Sequence, residues 1–129
     1  MISEHKLRIL WIGNNIIAKV YKPTLEEYGF KVFSMRNQRS GLIEFAKFIQ
    51  CDAIALCLGN NIHETISAIK QLKAITNSPL ILLYTNVYAP MIEQLVETDV
   101  LEGCNTVLMP VAPELLADAI NDAVSEFQT

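Results

Sequence analysis

Five short apolar runs, separated by longer stretches with helical spacing, set the architecture of this chain. Arg8–Ile12 (RILWI), Asp52–Leu58 (DAIALCL) and Pro79–Tyr84 (PLILLY) are apolar on both faces, as central strands of a parallel sheet must be. Phe30–Ser34 (FKVFS) alternates like an edge strand, and Thr106–Met109 (TVLM) closes the set. Between them, Leu42, Phe45, Ala46 and Ile49 fall at i, i+3, i+4 and i+7. Ile66, Ile69 and Leu72 follow a similar period with Ala68 and Ile75 alongside, and Leu116, Ala119, Ile120, Ala123 and Phe127 form a last stripe. Asn61 with Glu64 three residues on reads as a capping box, and Pro113–Glu114 as a first helical turn. Gly29 after Tyr28, and Asn77-Ser78-Pro79, mark helix ends. Pro23 is expected to kink the first helix or end it early.

Strands alternating with helices imply an α/β chain of five βα units, with right-handed crossovers and helices on both faces of a parallel sheet. The 129 residues suit one domain with one core, and no linker or low-complexity stretch divides them. A hydrophobic share of 51% against 19% charged predicts a generous core and little disorder. A net charge of -4, with no strongly basic window, argues against nucleic acid as a direct partner. The polar start, MISEHK, lacks the apolar stretch of a signal peptide, and no apolar run approaches the ~18 residues of a membrane span. Cys51, Cys57 and Cys104 form no CxxC pair, so neither a disulfide framework nor a zinc site is expected, and the reading is cytoplasmic.

The order and spacing of EYGFKVFS, CDAIALCL, SPLILLY and LMPVAPELLADAI resemble the receiver domains of bacterial response regulators over nearly the whole chain. The last segment is similar to that family's Lys-Pro-Phe-x-Pro-Glu-Glu-Leu-Leu stretch. The resemblance implies a flavodoxin-like, three-layer α/β/α sandwich with strand order 2-1-3-4-5, two helices on one face and three on the other. It also implies five chemical positions: two acids that hold Mg²⁺, an acceptor aspartate, a hydroxyl and a lysine. At those positions stand Ile12-Gly13-Asn14 (or Gly13-Asn14-Asn15 in the next register), Cys57, Tyr84 (or Thr85) and Met109. A thiol and neutral amides are poor ligands for a hard cation that prefers carboxylate oxygens. Asp52 lies five residues from Cys57, about 17 Å along an extended strand, and Glu64 belongs to a helix cap. The pattern is that of a pseudo-receiver: no enzyme, no cofactor, no metal.

Cys57 admits three readings: a small apolar filler, a redox-sensing thiol, or a nucleophile paired with His63 that lacks a third, orienting residue. Ile12-Gly13-Asn14-Asn15-Ile16 and Leu58-Gly59-Asn60-Asn61-Ile62 nearly repeat one pentapeptide. In the family's strand order both turns would line one crevice. There Asn15, Gly59, Asn60 and Asn61 either cap helices and shape turns or hold a small polar ligand. Tyr84 is expected to point inward against the fourth helix. The expected function is binding of a protein partner, or a second copy, through the fourth helix, fifth strand and fifth helix. Tyr88, Met91, Leu95 and Thr106 are the candidate contacts on that face. A small-ligand or redox sensor using the Cys57 crevice is the alternative.

Overall fold

The computed structural model describes residues 6–13, 15–35, 50–59 and 61–128. Its sheet has five parallel strands in the order β2-β1-β3-β4-β5, as expected. The strands are β1 (Leu7–Ile12), β2 (Phe30–Met35), β3 (Ala53–Cys57), β4 (Leu80–Tyr84) and β5 (Cys104–Leu108). Four helices are described: α1 (Asn15–Glu27), α2 (Ile62–Ile75), α3 (Ala89–Val96) and α4 (Pro113–Gln128). The helix expected around Leu42–Ile49 lies outside the described residues, so α3 and α4 are the fourth and fifth of the predicted order.

Alternation along the strands divides the core into two layers. Ile9, Trp11, Ala53, Ala55, Ile81 and Leu83 pack against α1 and α4. Leu10, Ile12, Ile54, Leu56, Leu80 and Leu82 pack against α2 and α3. β1, β3 and β4 are buried along almost their whole length because each has strand neighbours on both sides and helices above and below.

Pro23 neither ends nor replaces α1, which continues to Glu27. It sits on the exposed side of the helix, as does Lys19 four residues earlier, so the carbonyl that loses its backbone donor can turn to water. Meanwhile Tyr21 and Leu25 hold the other side in the core. Gly29, with φ 96°, ends the helix in a conformation that other residues adopt only with strain. Phe127, counted as part of the last apolar stripe, is 47% exposed; Leu116, Ile120 and Ala123 are the buried members.

Candidate functional site at the carboxyl end of the sheet

β1 and β3 are neighbours whose crossovers leave in opposite directions, so a crevice opens at their carboxyl ends. Its walls are Gly13, Ile17, Cys57, Leu58, Gly59, Leu83, Tyr84, Thr85, Tyr88 and Met109, and it encloses about 190 Å³. The backbone holds these walls in register. The Gly13 N–H donates to the Met35 carbonyl at 2.9 Å, Leu58 N–H to Leu83 at 2.9 Å, and Met109 N–H to Tyr84 at 2.7 Å. The Met109–Pro110 peptide is cis.

Cys57 is the last residue of β3 and half-buried. Burial pushes its thiol from the ordinary 9.0 up to about 11, while the nearby indole N–H of Trp11 pulls weakly the other way. At neutral pH it is therefore a neutral thiol, contrary to the lowered value a redox sensor would use. Gly13 explains part of the crowding. With φ 97° it takes a backbone form suited to glycine, and a Cβ there would lie 3.1 Å from the Cys57 Cβ. His63, the other half of the dyad reading, is exposed in the first turn of α2.

The paired asparagines divide unevenly. Asn14 and Asn60 lie outside the described residues, and Asn15 is the first residue of α1. Asn61 caps α2: its side-chain oxygen accepts from the Glu64 N–H at 3.1 Å, and its carbonyl accepts from the Thr65 hydroxyl at 3.0 Å. Asn61 is thus occupied as a cap and is not among the crevice walls, whereas Gly13 and Gly59 are. Asp52 stands at the opposite end of β3, where its carboxylate accepts from the Arg8 N–H at 2.7 Å.

The contact residues assigned to the outer face need correction. Leu95 is fully buried and Met91 is 9% exposed, both in the layer between α3 and the sheet. An eight-residue helix has only one apolar stripe to give, and the sheet takes it. Tyr88 is half-buried and lines the crevice instead, while Thr106 is exposed on β5 as expected. The apolar side chains that do face outward in this region are Val87, Val96, Leu108 and Leu115, from 42% to 78% exposed. Tyr84 is half-buried, lines the crevice and packs on the layer that contains Met91 and Leu95.

Two attachments were not foreseen. The Tyr21 hydroxyl donates to the Val111 carbonyl at 2.6 Å and accepts from the Val111 N–H at 3.2 Å, tying α1 to the segment after β5. Its ring also stacks on Trp11 at 6.0 Å, while the buried Trp11 indole N–H makes no hydrogen bond of ordinary geometry. The Lys73 ammonium donates to the carbonyls of Val100 (2.7 Å) and Glu102 (2.6 Å), just before β5. A tyrosine on an apolar stripe and a lysine in a last helical turn carry no sequence signal for such distant partners.

This is the fold of response-regulator receiver domains. A receiver domain of a modulated diguanylate cyclase from Desulfovibrio desulfuricans G20 superposes with a TM-score of 0.75 at 16% identity, covering 96% of this chain and 98% of that one. A response regulator from Thermotoga maritima gives 0.77 at 16% identity, covering 94% and 99%. The receiver domain of a signal transduction histidine kinase from Syntrophus aciditrophicus gives 0.74 at 20% identity, covering 92% and 90%. No protein-family model and no curated protein sequence matches the chain.

Proposed function

We propose that this chain is a receiver-type module of a two-component or phosphorelay pathway that acts without phosphorylation, as a binding domain rather than an enzyme. One observation carries the reading. Among the described residues, the crevice that would house phosphoryl chemistry is walled by glycines, a thiol, a thioether, aliphatic carbons, two tyrosines and a threonine, with no carboxylate and no ammonium group. Transfer of a phosphoryl group needs a metal and cations to take up charge on its oxygens. Met109 offers none where the resemblance expects a lysine, and Cys57 offers a protonated thiol where it expects the acceptor. Signalling then falls to a protein partner, on the face made by α3, β5 and α4.

With Mg²⁺ and acetyl phosphate, the domain should gain no mass and show no amide shifts around Cys57. A phosphoryl adduct, or saturable Mg²⁺ binding at about millimolar concentration, a range typical of weak divalent sites, would overturn the proposal. The crevice also has room for a small neutral molecule, which keeps the ligand-sensor reading as the second choice. The raised thiol pKa counts against its redox version.

A further inference from the structure

Charge is segregated along this chain. All ten Lys and Arg residues lie within residues 1–73, with six of the fourteen Asp and Glu. From Ala74 to Thr129 there are eight acidic residues and no Lys or Arg, a balance of -8 against +4 for the first part. The fold gathers the acidic part at one side, because β4, α3, β5 and α4 all lie in it and β5 is the sheet edge.

Glu93 on α3 and Glu97 at its C-cap are exposed. Glu114, Asp118, Asp122 and Glu126 recur every fourth residue along the exposed side of α4, a helix without a single basic residue. Like charges at this spacing disfavour a helix by about 0.2–0.5 kcal/mol per pair, so the row weakens the fold it belongs to. The outward Val87, Leu108 and Leu115 lie on the same side, at the carboxyl rim of β4 and β5. Lys70 and Lys73 of α2 line a pocket with Asp99. Lys73 is committed to backbone carbonyls there.

Resting on the reading of this face as the docking surface, we infer that its occupant is a cationic segment of another protein carrying apolar anchors, not a second copy of this chain. A two-fold dimer would set each row of carboxylates against its own copy, and none of α3, β5 and α4 carries a Lys or Arg to answer it. A lysine- and arginine-rich partner with apolar residues meets both features of the face: carboxylates for its charges, and Val87, Leu108 and Leu115 for its apolar side chains.

The full chain, labelled with nitrogen-15, is titrated with a synthetic helical peptide of about 18 residues, roughly five turns, bearing leucines on one stripe and lysines elsewhere. A second peptide carries Glu in place of each Lys. The expected result is amide shifts confined to Val87–Val96, Leu108 and Leu115–Asp122 with the lysine peptide and none with the glutamate peptide. Affinity should fall about tenfold or more as salt rises from about 0.01 to about 0.15 M. Asp118→Lys with Asp122→Lys should weaken binding by about tenfold or more. Glu26→Lys with Glu27→Lys, exposed on α1, should leave it within about twofold, the amide spectrum reporting that each variant is folded.

Equal losses in both variant pairs would mean unspecific attraction and overturn the inference. Preference for the glutamate peptide on the same face would overturn the cationic partner while keeping the docking face. Shifts centred elsewhere would sink the docking face as well. A wild-type dimer in sedimentation that the Asp118→Lys, Asp122→Lys variant abolishes would assign the face to a second copy.

Discussion

Gly13 and Cys57 show how much one residue pair can decide. Gly13→Ala combines a left-handed φ with a methyl 3.1 Å from a neighbouring Cβ. It should cost about 1–3 kcal/mol in chemical denaturation, the usual range for strain of this kind. Cys57→Ala combined with it should recover little of that loss, since the conflict is with the Cβ and backbone of residue 57, which alanine keeps. The thiol itself predicts a pH effect. Its folded pKa is raised above the unfolded value, so its contribution to stability is fully present below pH 9.0 and is lost as pH rises through about 11. Unfolding measured from pH 8 upward should show that decline in wild type and less of it in Cys57→Ala, and iodoacetamide should alkylate the folded thiol slowly at pH 8. A fast reaction there would place the thiol in a different environment. The sequence placed Cys57 at a strand's end and Gly13 in a turn, but not their closeness, since how near a side chain at 13 would come to Cys57 depends on two neighbouring strand ends meeting.

Among the elements, strands were legible because their signal is unambiguous: an apolar run buried on both faces fits little besides a central strand. The observed ends differ from the expected ones by one or two residues. Helix α3 was harder to read. Met91 and Leu95 are four apart, a spacing that places them on one face without saying which way it turns, and the sheet claimed it. Pro23 misled for a related reason, since a proline's cost depends on whether the carbonyl it orphans can reach water. The Tyr21–Val111 attachment is testable at this scale. Tyr21→Phe keeps the ring on Trp11 but removes both hydrogen bonds to Val111, and should cost about 1–3 kcal/mol in urea unfolding. A cost within about 0.5 kcal/mol, the range of an ordinary surface substitution, would mean that water replaces the hydroxyl without loss.

At the scale of the whole molecule, the topology follows from the alternation of strands and helices together with the handedness of their crossovers, and it agrees with the expected order strand for strand. The chemistry of the crevice was partly legible, because the identities of Cys57, Tyr84 and Met109 could be assigned before their surroundings were known. The proposed loss of phosphoryl chemistry predicts that one repair is insufficient. Cys57→Asp alone should remain unmodified by acetyl phosphate, since Met109 still supplies no cation. Mass spectrometry of the treated variant decides this, and a stable adduct would show that the crevice retains more of the chemistry than its walls suggest.

The two carbonyls held by Lys73 have a consequence for motion. They lie just before β5 begins, at the amino end of an edge strand that has a hydrogen-bonded neighbour on one side only. A single ammonium therefore anchors the segment from which that strand would peel away. Replacing it with methionine keeps most of the stem and removes the anchor. In Lys73→Met, backbone amides of Cys104–Leu108 should exchange with deuterium about tenfold faster while those of β1 and β3 keep their wild-type rates, the mark of local opening rather than global unfolding. The edge that borders the acidic face would then be the first part of the sheet to loosen, with the core layers still closed.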